Sequence, residues 1–116
     1  MRIYRFLLLL IVSGTVLPAL AQNDFRSRQS GDWNQSTTWE EFIGGTWQLT
    51  SNTPTSSSGT ITIQNSHTVT VTAGVTIDQT VINTGGTVVV NDGIDLGINN
   101  GAGNDITING TIDLRG

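Results

Sequence analysis

Three stretches decide the fold: Val69–Ile77 reads VTVTAGVTI, Val88–Leu96 reads VVVNDGIDL, and Ile106–Leu114 reads ITINGTIDL. Aligned, they carry apolar residues at the first, third, seventh and ninth places, and their starts are 19 and 18 residues apart. Each stretch predicts two short strands that alternate inward and outward with period two. Between the strands lies a turn holding Gly74, Gly93 or Gly110, a residue type that tolerates positive φ. A third, weaker strand is expected in each unit, around Ile61–Ile63, Thr80–Ile82 and Gly97–Ile98. A coil of this size has too little core to stand alone. Stacked coils pair strand to strand and bury one continuous Val/Ile/Leu column.

The expectation is therefore an all-β fold, a parallel β-helix with coils of about 18–19 residues. A β-sandwich also has short strands and turn signals. It gives no reason to repeat one in–out phase at a fixed offset. The apolar places six apart also suit a left-handed hexapeptide helix. The extra residue between Val81 and Val88 and the irregular Gly97–Asn104 stretch fit a right-handed helix with variable turns better.

Outward from the repeats the composition changes. Gly31–Leu49, GDWNQSTTWEEFIGGTWQL, holds all three tryptophans, Trp33, Trp39 and Trp47. Thr50–Gly59 is polar, contains Pro54 and reads as loop. Residues 31–59 are expected to form an N-terminal cap with its loop, and 60–116 the coils. Residues 22–30 hold few apolar side chains and read as a flexible lead. Residues 1–21 read as a signal peptide. Arg2 and Arg5 precede the apolar run Phe6–Val12, and Ala19-Leu20-Ala21 places cleavage before Gln22. The apolar run is shorter than the roughly 20 residues that span a bilayer.

Past Ala21 three Arg remain against nine acids, with no Lys, for a net charge of −6. Such a surface repels phosphate backbones and anionic lipid, which argues against nucleic-acid binding and membrane insertion. The chain has no Cys, so no disulfide staples the fold, and stacking must supply the stability.

The pattern GDW…TTWE…GGTWQ, followed by TITI…HTVTV…GVTID…GGTVVVNDG, resembles the N-terminal segment of large bacterial surface proteins of the adhesin or autotransporter-passenger kind. It is also similar, more loosely, to the glycine-rich β-helical G8 domain. The likeness covers about Gly31–Gly116. It implies a long right-handed β-helix, export, and often a C-terminal sorting or adhesion module. It implies no catalytic residue that transfers to this chain. The sequence stops at Arg115-Gly116 without a polar cap, so it is expected to be cut short before its C-terminus.

The candidate chemistry is sparse. Trp33, Trp39 and Trp47 offer faces for stacking on sugar rings. Lying before the first coil, they also suit a cap, since large aromatics cover most area per residue. His67 is the only histidine, and it sits in a turn with no partner legible in the sequence. Asp92, Asp95 and Asp105 carry oxygens for a calcium site, and Gly101–Asp105 faintly matches the calcium nonapeptide; no other cofactor is suggested. Turn-forming and solubilising roles explain the same aspartates. Glu40 and Glu41 are adjacent, so on a strand they face opposite ways and form no hydrolytic pair.

The sequence thus predicts a secreted or cell-surface, non-catalytic structural or adhesion segment. Surface glycans or other proteins are its expected partners, and an open last coil implies end-to-end self-association. The alternatives are the non-catalytic start of a carbohydrate-active β-helix enzyme and a small carbohydrate-binding module.

Overall fold

The computed structural model describes residues 22–115, so the signal peptide expected at 1–21 lies outside the described residues. The chain is all-β. Its strands are β1 (Phe25–Ser27), β2 (Gly31–Asp32), β3 (Trp39–Ile43), β4 (Thr46–Leu49), β5 (Ile61–Ile63), β6 (Thr68–Val71), β7 (Val75–Ile77), β8 (Thr80–Ile82), β9 (Thr87–Val90), β10 (Leu96–Ile98), β11 (Ile106–Ile108) and β12 (Thr111–Leu114). One 3-10 turn, Ser36–Thr38, precedes β3. No helix among the described residues is long and apolar enough to cross a membrane.

The strands are short because β-branched runs of three or four residues are cut by turn formers. Gly85 and Gly93, at φ of 85° and 73°, make two of these turns in the left-handed region. The strands join in three sheets: a six-stranded sheet ordered β11-β8-β5-β1-β3-β4, a four-stranded sheet β12-β9-β6-β2, and the pair β10-β7. All pairings are parallel except two. β3 runs antiparallel to both β1 and β4, so the largest sheet is mixed. For β3 and β4 the cause is local: Gly44-Gly45, both at positive φ, form a two-residue turn that folds β3 back as β4.

Register aligns the apolar residues in columns. Ile61 pairs with Thr80 and Thr80 with Ile106; Ile63 with Ile82 and Ile82 with Ile108. In the four-stranded sheet the columns are Val69–Val88–Ile112 and Val71–Val90–Leu114. The pair adds Val75–Leu96 and Ile77–Ile98. The inner members of these columns, with Phe25, Trp33 and Trp39, make one core cluster. Each fully buried aliphatic side chain contributes about 1.5–3 kcal/mol.

Two expectations are corrected. The lead at 22–30 is not free chain, because it contains β1, with Phe25 and Ser27 buried. One apolar residue suffices there, since β1 is held between β3 and β5 by hydrogen bonding on both edges. The repeats keep the expected phase only in part: Val75 and Ile77 stack on Leu96 and Ile98 instead of Ile94 and Leu96, and the third repeat is out of phase with the first two. Val69 stacks on Val88 at the expected offset of 19, but Val88 stacks on Ile112, not on Ile106. Ile106–Ile108 stacks instead on Thr80–Ile82, and Gly97-Ile98 stacks on Thr76-Ile77. The loop Asn99–Asp105 lengthens that unit, so the spacing of 18 between Val88 and Ile106 matched two different strand positions.

Candidate binding site

Trp33 and Trp39 are 2% and 0% exposed, so neither offers a ring face to a sugar. Their rings meet edge to face at 4.9 Å, and Trp39 meets Phe25 at 6.5 Å. Both indole N–H groups are satisfied. Trp33 donates to the Pro54 carbonyl and Trp39 to the Trp33 carbonyl, each at 2.8 Å. The Trp33 bond fixes the polar loop 50–59 to the core. Trp47 stands apart, half-buried on β4. Its ring meets Phe42 at 5.1 Å, and the Arg26 guanidinium lies 4.4 Å from its centroid. Arg26 also pairs with Glu40 at 2.8 Å, which holds the cation over the ring.

The aspartates are not brought together. No group of three or more His, Asp or Glu side chains able to hold a metal gathers among the described residues. Asp92 and Asp95 are exposed on the turn between β9 and β10. Asp105 turns its Oδ1 to the Gly101 amide at 3.0 Å, closing its own loop. The calcium reading on Asp92, Asp95 and Asp105 therefore has no convergent ligand set. A single loop satisfies its acid internally.

His67 has a partner that the sequence concealed. The Ser27 hydroxyl and His67 Nδ1 are 2.7 Å apart. Ser27 Oγ also accepts from the Gln64 amide at 2.8 Å. A serine beside an imidazole is the geometry of an activated nucleophile. Ser27, however, is wholly buried, so no substrate can reach it; the pair ties β1 to the turn after β5.

The site the sequence did not single out lies beside Glu41. Strand alternation sends Glu40 outward to Arg26 and Glu41 inward, where it is buried. Three side chains from two segments donate to its carboxylate: Asn23 to Oε2 at 2.7 Å, and Thr50 and Asn52 of the following loop to Oε1 at 2.7 and 3.1 Å. Burial pushes the Glu41 pKa upward, but the bonds from Asn23, Thr50 and Asn52 outweigh it, and the group ends below its ordinary value of 4.5. No ion pair to Glu41 forms among the described residues.

This carboxylate borders an open cleft of about 490 Å³, lined mainly by amides and hydroxyls, among them Asn23, Asn52, Thr53, Ser57 and Ser58. The loop is set by its own bonds: Thr55 N–H donates to Ser58 Oγ, and Ser57 N–H to Thr55 Oγ1. Chemically the cleft presents a fixed negative charge among neutral donors and acceptors. A carboxylate whose pKa lies below its ordinary value is a poor proton donor and a weak base near neutrality. The arrangement suits binding of hydroxyl-rich neutral molecules better than proton transfer. Its one signal in the sequence was the pattern Trp39-x-Glu41, which puts a carboxylate on an inward-facing place.

Protein-family models, curated proteins and solved structures contain no match to this chain.

Proposed function

We propose that this chain is an exported, non-catalytic spacer whose strands are coils of a right-handed parallel β-helix, closed at one end by the Trp-rich hairpin. The observation that carries the reading is register. Parallel pairs repeat the same inward places, so Val69–Val88–Ile112 and Val71–Val90–Leu114 run as continuous apolar columns. Nearest-neighbour stacking of this kind makes length additive: each coil adds one strand spacing of about 4.8 Å. The unequal offsets between stacked strands, 19 for β5 on β8 and 26 for β8 on β11, suit a helix with variable turns over a strict hexapeptide repeat. Trp33 and Trp39 cover the apolar column where it begins, which is the place of a cap.

Duplicating one coil tests this. A second copy of residues 64–82, inserted after Ile82, should keep the fold, hold or raise the melting temperature, and lengthen the molecule by about 4.8 Å in small-angle scattering. Loss of the cooperative transition would reject the helix and the spacer together. N-terminal sequencing of the exported protein tests the other half; it should begin at Gln22.

A second reading is favoured by the Glu41 cleft: weak contact with surface glycans. Sugar hydroxyls can donate to the carboxylate and accept from Asn23 and Asn52. Binding on a glycan array that survives in Trp47→Ala but is lost in Glu41→Gln would place the contact in the cleft; the reverse would place it on Trp47.

A further inference from the structure

The charges around β1 and β3 are unevenly answered. Arg26 is committed to Glu40 at 2.8 Å and to the face of Trp47, and Arg115 to Asp113 at 3.1 Å. Glu41 is only 5% exposed, yet it has no cationic partner among the described residues. Asp24 stands close by. It is exposed, its Oδ1 accepts the Thr60 amide at 2.8 Å, and its carboxylate lies against Gly59, next to the cleft residue Ser58. A second negative charge therefore flanks the cleft. The chain has no lysine and no arginine lines the cleft, so among the described residues its anion has no counter-charge.

The hydrogen bonds at Glu41 point the same way. A carboxylate has about four acceptor places. Oε1 takes Thr50 and Asn52, whereas Oε2 takes Asn23 alone, which leaves one place open on Oε2. Neutral donors hold the charge without cancelling it, and a buried charge is costly until it is paired. Asn23 and Asn52 each spend one N–H on the carboxylate. Each keeps a second N–H and a carbonyl oxygen without a partner among the described residues. An amide that donates to an anion is polarised, which strengthens its oxygen as an acceptor.

We propose, building on the glycan reading of this cleft, that it takes an amino sugar: the protonated amine occupies the open place on Glu41 Oε2, and the ring hydroxyls pair with Asn23, Asn52 and the serines and threonines of the loop. A neutral sugar satisfies the lining, but only a cation answers the charge. An ammonium brings three donors where a hydroxyl brings one, and charge-assisted hydrogen bonds are about twice as strong as neutral ones. The hydroxyl-rich ring matters as well. Phe25, the apolar member of the lining, is 4% exposed, so the stem of an alkylamine or a lysine side chain would find no apolar surface and would leave the polar lining unpaired. At about 490 Å³ the cleft falls within the range of roughly 300–1,000 Å³ of small-molecule sites.

Amide chemical-shift titrations of the unsubstituted chain with D-glucosamine, D-glucose and N-acetyl-D-glucosamine test this, at about pH 6, where an amine of this kind is charged. The expected shifts are at Asn23, Asn52 and Ser57, and glucosamine should bind at least about fivefold more tightly than the other two. The preference should shrink in about 1 M salt, where charges are screened beyond about 3 Å. Glu41→Gln keeps the shape and removes the charge, so it should abolish the preference, with circular dichroism to check that the variant is folded. If that variant does not fold, the three sugars on the unsubstituted chain decide alone. Equal affinity for all three overturns the amine preference and leaves the neutral-glycan reading standing. No shift with any of them overturns the glycan reading and the amino-sugar assignment together. A preference for glucosamine that persists in Glu41→Gln, or whose shifts lie away from the cleft, overturns the placement of the amine on Glu41.

Discussion

Replacing Trp39 by alanine tests the packing around the buried tryptophans most sharply. The side chain is wholly buried, so the change deletes an indole from packed surroundings. Large aromatic-to-alanine changes in cores cost about 3–5 kcal/mol, as lost transfer energy plus the cavity left behind. Two features push this site toward the upper half of that range. Edge-to-face contacts with Trp33 and Phe25 disappear, each worth about 0.5–1.5 kcal/mol beyond area. The Trp33 carbonyl also loses its 2.8 Å donor inside the core. The expected loss is about 4–5 kcal/mol, a large part of the 5–15 kcal/mol that a domain holds in total. With a urea slope of about 1–3 kcal/mol per molar, the midpoint should fall by roughly 1.3–5 M. Urea titration followed by far-ultraviolet circular dichroism measures it. Trp47→Ala is the comparator; half-buried and partnered by Arg26 and Phe42, it should cost only about 1 kcal/mol. A Trp39→Ala protein that loses less than about 1 kcal/mol, or that stays folded while losing a sugar ligand, would refute the reasoning.

Two further outcomes are expected. Because Glu41 has a lower pKa folded than unfolded, its contribution to stability is present above about pH 4.5 and is lost as the pH falls through the folded value. Melting curves of the unsubstituted chain and Glu41→Gln should therefore converge on acidification, and a gap that widens would contradict the bonding at Glu41. At Gly110 an added Cβ would press on the backbone carbonyls of Gly86 and Asn83, which cannot yield as side chains do. Gly110→Ala should cost about 1–3 kcal/mol by thermal unfolding, and an unchanged melting temperature would show that β12 is not seated as described.

Local alternation was legible in the sequence. Val69 and Val71 face inward because a strand has period two, and the same rule separates Glu40 from Glu41. The turns were legible for a similar reason: glycine and asparagine interrupt β-branched runs whatever surrounds them. So the all-β class and most strand positions follow from residues a few places apart. Stacking did not follow. Which strand lies on which depends on how much chain each turn consumes, and the Asn99–Asp105 loop shifted Ile106–Ile108 onto Thr80–Ile82. Two strand types with the same Ile-x-Ile pattern are indistinguishable until the third dimension sorts them.

The site divides in the same way. The sequence set three tryptophans before the repeated strands, and a cap was the use expected of them. Only packing decided that Trp33 and Trp39 are sealed while Trp47 stays half open under Arg26. Ser27 and His67, forty residues apart, and Asn23 and Glu41, eighteen apart, meet because β1 is threaded between β3 and β5. Period and turn chemistry act over one strand, and the sequence by itself determined those. Contacts across stacked strands depend on the summed length of everything between them, and only the tertiary structure could decide them.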